Sequence, residues 1–165
     1  MSRIKDLQKQ VFKVLEDTDE PMKAMAHLHG VSLAAVMIAK QRRQDPELAA
    51  IAGLLHDLWA YKSGSYDDHA HLGADYARKV LEKMVITTTD ETEIICDAIW
   101  HHDDKASIDS PFAEVLKDAD VIDHSLSDPT KEVKAQERER YLKLCEEFGL
   151  NQIGSARDSA TIMKN

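Results

Sequence analysis

Eight histidines in an acidic chain are the residues with the clearest capacity for chemistry. The chain of 165 residues carries them beside 30 acidic and 21 basic side chains. His56 and Asp57 are neighbours near the end of the apolar run LAAIAGLLHDLW, and both can reach the interior only where a helix ends at a cavity. Because a buried carboxylate and imidazole are costly without partners, the pair indicates either a hydrogen-bonded helix end or a bound metal.

Four further histidines can be sorted by the helix face on which they lie. His69 shares a face with apolar residues of its segment, whereas His71 lies with charged ones. By the same test, His102 is a better inward candidate than its neighbour His101. We therefore expect His69 and His102 to point into the protein.

Periodicity does not choose between His27 and His29, since each shares a stripe with apolar residues. Asp120 falls on an apolar stripe, where a carboxylate without a partner is unusual, while Asp118 is expected to face solvent. Each of these residues alone is explained as well by a cap or a salt bridge. Together, five helices each send a His or Asp inward, and one or two shared cations would offset the cost of their burial. Imidazole and carboxylate without thiolate suit Mn, Fe, Co, Ni or Zn rather than a structural zinc–thiolate site.

The elements that must position these side chains are predicted to be helices throughout, because apolar residues recur with the helical period. We expect one all-α domain of about six to eight helices spanning 1–165. Its core covers about 20–126, and a charged C-terminal helix and tail cover 127–165. The predicted helices run over about 3–16, 21–39, 46–59, 68–84, 90–102, 111–126 and 128–148, with an irregular loop at 61–68 and a short or frayed helix at 155–165.

Composition excludes several classes of function. The net charge of −9 lacks the positive footprint of a nucleic-acid-binding protein, so no nucleic-acid partner is expected. The N-terminus lacks the apolar core of a signal peptide, and no apolar run approaches the ~20 residues of a membrane span. Two cysteines are too few for a disulfide framework. These features predict a cytoplasmic protein with no membrane partner.

The order of the candidate residues resembles the HD superfamily of metal-dependent phosphohydrolases over about residues 27–120. The segments that carry the resemblance are HLHGVSLAAVMIA, LAAIAGLLHDL, HAHLGADYARKVL, AIWHH and LKDADVIDH. Register with Val31 selects His27 over His29. The subgroup that the chain most resembles is the small YqeK-like hydrolases of diadenosine tetraphosphate. Two features depart from other members: Ala60 stands where many have lysine, and the GYP signature of cyclic-di-GMP phosphodiesterases is absent.

The resemblance implies one or two divalent cations per chain (Fe, Mn, Co, Ni, Zn or Mg) that activate a water molecule for attack on phosphorus. The implied substrate is a phosphoester or phosphoanhydride of a small, nucleotide-like molecule. The implied ligands are His27, His56, Asp57 and Asp120 for one cation and Asp57, His69 and His102 for the other, with Asp57 as the bridge.

Other roles stay open at this point. Lys62, Arg78 or Lys105 could neutralise substrate phosphate or be ordinary surface charges, and His101, His71 or a water molecule could protonate the leaving group. The aromatic residues of the same loop, Trp59, Tyr61 and Tyr66, could stack a base or simply pack.

Two alternatives belong to other functional classes. One is a di-iron oxygenase of the inositol-oxygenase type, which has the same ligand order. The other is a non-catalytic module that binds a metal or nucleotide. The charged C-terminal helix could also mediate a homodimer.

Overall fold

The computed structural model describes residues 2–150, and within this range the chain forms α-helices without any β-strand, which confirms the predicted all-α class. A 3-10 turn at Ala135–Glu137 precedes the last helix. The helices are α1 Arg3–Leu15, α2 Pro21–Gln41, α3 Pro46–Leu55, α4 Leu58–Ser63, α5 His69–Met84, α6 Thr89–His101, α7 Pro111–Leu126 and α8 Arg138–Glu147.

Helix α2 is the central element, and it packs against α3 and α7. It begins at Pro21, whose fixed φ angle and missing N–H suit the first turn. Its contact with α3 is close because of Gly53, where an added Cβ would lie 2.6 Å from the Cα of Ser32. Among residues 2–150, α2 alone is long and apolar enough to cross a membrane, although the core helix of a folded domain passes the same test.

The predicted helix at 46–59 is interrupted at the His-Asp pair. Helix α3 ends at Leu55 and α4 begins at Leu58, with Asp57 between them at φ −109° and ψ 8°. This break turns both polar side chains toward the interior, which a continuous helix could not do. The irregular loop is therefore shorter than predicted, covering 64–68, and it begins at Gly64 with φ 71°.

The predicted helix at 128–148 also differs from the structure, since only Arg138–Glu147 are α-helical, directly after the 3-10 turn. The Asp128 carboxylate accepts hydrogen bonds from the N–H and the hydroxyl of Thr130, a local turn that competes with helix formation. The segment is not merely a surface element, because Leu144 and Cys145 are buried. The element predicted for 155–165 lies outside the described residues.

Asp118 corrects another expectation, since it is buried rather than solvent-facing. Its carboxylate lies 2.7 Å from Arg42, directly after α2, and 3.0 Å from Arg140 of α8. Two guanidinium groups therefore replace the water that Asp118 was expected to contact. These salt bridges connect α7 with α8 and with the end of α2.

Candidate metal centre

Four side chains from three places in the fold converge on one point. His27 comes from α2, His56 and Asp57 from the break after α3, and Asp120 from α7. The Nε2 atoms of His27 and His56 lie 3.1 Å apart. Each lies 3.6 Å from Asp57 Oδ2, and they lie 3.5 and 3.7 Å from Asp120 Oδ1.

A second set of donors adjoins the first through the same carboxylate. Asp57 Oδ1 lies 3.5 Å from Nε2 of His69 at the start of α5 and 3.2 Å from Nε2 of His102 at the end of α6. Both histidines are buried, as the face argument predicted, while His71 and His101 are more exposed. Asp57 thus presents one oxygen to each set.

The four imidazoles share one orientation. Each donates its Nδ1–H to a fixed acceptor, so each Nε2 atom points toward the centre. The acceptors are main-chain carbonyls for three of them. The hydrogen bonds run from His56 to Gly53 O at 2.9 Å, from His69 to Tyr66 O at 2.9 Å, from His102 to Ile99 O at 2.7 Å, and from His27 to Asp123 Oδ2 at 2.7 Å.

The His27–Asp123 bond depends on a glycine inside α2. A Cβ added at Gly30 would lie 1.8 Å from Asp123 Oδ1, well inside van der Waals contact. Glycine inside a helix costs about 1 kcal/mol relative to alanine. Its presence here makes room for the carboxylate that orients His27.

The charges at the centre suit the binding of a cation. Burial raises the pKa of Asp57 and Asp120, but their surroundings outweigh it, chiefly the electrostatic effect of the neighbouring His56 for Asp57 and of the Lys105 ammonium for Asp120. The pKa of each carboxyl is therefore held well below its usual range. Burial disfavours a charged His27, but hydrogen bonds to Asp123 and Asp57 prevail and raise its pKa to about 10.

The residues fit a divalent metal. Donor atoms that each lie about 2.1 Å from one ion are roughly 3.0–3.4 Å from one another, close to the spacings in both sets. Asp120 Oδ1 is buried and has no hydrogen-bond partner, and in their neutral forms His27 and His56 would each direct an Nε2 lone pair at the same point, because their Nδ1–H groups donate elsewhere. Imidazole and carboxylate donors bind Mn, Fe, Co, Ni and Zn, so the donor types do not fix the metal.

The other predicted site residues are not brought together. Lys62 is exposed and lies over the rings of Trp59 and Tyr76, at 5.6 and 5.7 Å from their centroids. His101 lies 3.6 Å from both Asp97 and Asp109, whose carboxylates are its nearest charged neighbours. The structure therefore places neither Lys62 nor His101 at the centre, and their proposed roles stay predictions.

Of the other cations considered for phosphate, only Lys105 reaches the centre. Its ammonium donates to Asp120 Oδ2 at 2.7 Å and to the carbonyl of His102 at 2.6 Å. Arg78 instead forms a two-pronged salt bridge with Glu93.

Two tyrosines line the same region. The Tyr61 ring lies 6.2 Å from that of His27, and the Tyr66 ring lies 5.3 Å from that of His69. Tyr66 is about half exposed, whereas Trp59 packs against Tyr76. Tyr66 is thus the aromatic residue best placed to meet a bound molecule.

Sequence reasoning missed Asp123 as the partner of His27 and did not consider His124, whose Nε2 lies 3.4 Å from Asp120 Oδ1. Both residues follow Asp120 by about one helical turn, so they share its face. That spacing, together with a glycine three residues after His27, was the feature of the sequence that could have indicated these two residues.

Comparison with known proteins agrees with this geometry. The HD domain model matches residues 25–125, and the chain belongs to the HD domain family. A crystal structure of a predicted HD superfamily hydrolase from an uncultured Thermotogales bacterium superposes with a TM-score of 0.63, at 25% identity over 88% of each chain. The fold and the family are therefore those of HD hydrolases, as the sequence resemblance implied.

The curated relatives are longer proteins. Ribonuclease Y from Chlorobium luteolum is 32% identical over 59% of this chain, and Ribonuclease Y from Opitutus terrae is 31% identical over 57%. The matched region spans 17% of the length of each relative.

Proposed function

We propose that the protein is a metal-dependent phosphohydrolase that cleaves a phosphoester or phosphoanhydride bond of a small, nucleotide-like molecule. The observation that carries the proposal is the division of Asp57 between two donor sets, with Oδ2 toward one pair of histidines and Oδ1 toward the other. Divalent cations held by these two donor sets would supply the activation of a water molecule and the neutralisation of charge on phosphoryl oxygens.

The protein's own residues divide the remaining tasks. Lys105 adds positive charge beside Asp120 and is fixed there by its second hydrogen bond to the His102 carbonyl. The half-exposed ring of Tyr66, next to His69, offers a surface on which a base can stack. A small anion with an aromatic group matches both features.

RNA is a second candidate substrate, because the relatives are named Ribonuclease Y and RNA contains the same class of phosphodiester bond. The net charge of −9 disfavours contact with a long phosphate backbone. We therefore favour the small molecule, and diadenosine tetraphosphate is the first natural compound to test.

The test uses the full chain purified without chelator, with its metal content measured by elemental analysis and then completed with Mn²⁺ or Fe²⁺. The substrates are bis-p-nitrophenyl phosphate, diadenosine tetraphosphate and a short labelled RNA, and oxygen consumption is followed with inositol. Asp57→Asn removes the shared carboxylate. Asp17→Asn makes the same chemical change at an exposed position.

We expect the wild type and Asp17→Asn to hydrolyse the small phosphates and Asp57→Asn to show only the background rate. Turnover of RNA alone would overturn the proposed substrate class. Oxygen consumption without hydrolysis would favour the oxygenase, and bound metal without turnover of any substrate would favour a binding module.

A further inference from the structure

We propose that His124 is a further metal ligand, on the His27 side of the centre, and that Glu137 of the C-terminal segment fixes its orientation. The proposal rests on the cation binding proposed above but not on the hydrolytic reaction. Neither residue belongs to the ligand set that the family resemblance implies.

The position of the His124 Nε2 atom suits a ligand of the first donor set. It lies 3.4 Å from Asp120 Oδ1, within the range of 3.1–3.7 Å that separates the donors of the first set. His124, His27 and Asp120 each offer a donor atom, and these atoms lie within 4.8 Å of one another. The rings of His124 and His27 are nearly parallel, at 8°, with centroids 5.3 Å apart.

The His124 ring is also held in the orientation of a metal ligand. His124 Nδ1 lies 3.0 Å from Glu137 Oε1, so its Nδ1–H has a fixed acceptor and its Nε2 faces the centre. This is the arrangement of the other four imidazoles, and a carboxylate plays the same part for His27. An imidazole oriented in this way is typical of metal ligands in proteins.

A buried oxygen that lacks a partner also supports the proposal. Asp120 Oδ1 has no hydrogen bond, and the Asp120 residue is only 4% exposed. Burial of an unpaired carboxylate oxygen is costly. A cation shared by Asp120 and His124 would give this oxygen a partner.

Lys134 does not compete for the Nε2 lone pair. Its ammonium lies 3.1 Å from Nδ1 and 3.4 Å from Nε2 of His124. An atom in the ring plane beyond one nitrogen would be much farther from the other nitrogen, so Lys134 lies over the face of the ring. The Nε2 lone pair, which lies in the plane, stays available for a cation.

The test is proton NMR of the full chain loaded with Co²⁺, whose unpaired electrons shift the signals of bound imidazoles far outside the normal range. Each ligated histidine with a protonated Nδ1 contributes one exchangeable shifted signal. Co²⁺ affinity is measured separately by competition with a chelator. The variants are His124→Ala and Glu137→Gln, with His29→Ala and Glu139→Gln as controls outside the centre, and circular dichroism checks their folding.

We expect one more shifted signal than the four that the two donor sets provide, its loss in His124→Ala, and no change in either control. Glu137→Gln should weaken Co²⁺ binding by about 10-fold or more. Four signals in the wild type, all kept in His124→Ala, would overturn the proposal. If His124→Ala does not fold, unchanged Co²⁺ affinity in Glu137→Gln would overturn it. These readouts do not depend on turnover, so failure of the proposed reaction would be recognised separately.

Discussion

The effect of Gly30→Ala on the free energy of unfolding should reverse its sign according to which residue occupies position 123. In the wild-type background the new methyl group would lie 1.8 Å from Asp123 Oδ1 and 2.9 Å from its Cγ. Asp123 must then rotate away and lose its hydrogen bond from His27. A hydrogen bond to a charged group is worth about 1.5–3 kcal/mol, whereas alanine gains about 1 kcal/mol in helix propensity. We expect Gly30→Ala to destabilise the metal-free protein by about 0.5–2 kcal/mol.

With Asp123→Ala already present, nothing remains for the methyl group to displace. Gly30→Ala should then stabilise the protein by about 1 kcal/mol, the helix-propensity gain alone. The four proteins form a double-mutant cycle, and urea unfolding in the presence of a chelator measures each free energy of unfolding. Metal affinity should respond differently, since every variant that lacks the Asp123 contact should bind metal about 10–100-fold more weakly.

A matched control comes from Gly64, whose left-handed backbone has φ 71° and whose added Cβ would meet nothing within 4 Å. Gly64→Ala should cost about 1–2 kcal/mol in both backgrounds, with no coupling to position 123. If Gly30→Ala changed the free energy of unfolding by the same amount and in the same direction in both backgrounds, the inferred contact between positions 30 and 123 would be refuted.

Three further predictions concern charge and metal. Lys105→Met should destabilise the metal-free protein by about 3 kcal/mol, because it leaves the buried Asp120 without its cation, whereas Lys62→Met should be nearly neutral in the same urea assay. Burial raises the pKa of Glu114, but the hydrogen bond from Arg140 outweighs it, so the pKa in the folded state is lowered. The stability due to this pair is therefore present above about pH 4.5, and it is lost as the pH falls through the pKa of the folded state. Arg140→Gln should therefore flatten the acid limb of a stability–pH curve, and an unchanged limb would contradict the assignment. Removal of metal by a chelator should lower the midpoint of thermal unfolding, Mn²⁺ should restore it, and a midpoint insensitive to both would argue against cation binding by the folded state.

The sequence predicted the helices and the convergence of the polar residues because both depend on periodicity. His69 and His102 are buried on the faces that the apolar pattern indicated. The break between α3 and α4 could not be predicted in the same way, since the residues around the His-Asp pair are apolar and helix-compatible. The break has no proline or glycine of its own, so no local signal marks it.

The supports of the site were harder to predict than its ligands. Asp118 looked solvated because the guanidinium groups that bury it, those of Arg42 and Arg140, are distant in sequence. Asp123 and Gly30 act as a pair across α2 and α7, and helical spacing places each on a face of its own helix without showing that the two residues touch. Ion pairs and close approaches between helices require the fold itself.

The acceptors of the four imidazole N–H groups also bear on how the centre can vary. A main-chain carbonyl is present whatever side chain its residue carries, so no simple replacement at Gly53, Tyr66 or Ile99 deletes the oxygen that holds His56, His69 or His102. The support of His27 is different, because it depends on the Asp123 carboxylate and on the space that Gly30 leaves for it. Mutations that adjust the centre without removing a ligand are therefore expected at positions 30 and 123. A single nucleotide change there can weaken the hydrogen bond that orients His27 and leave the orientation of the other three imidazoles unchanged.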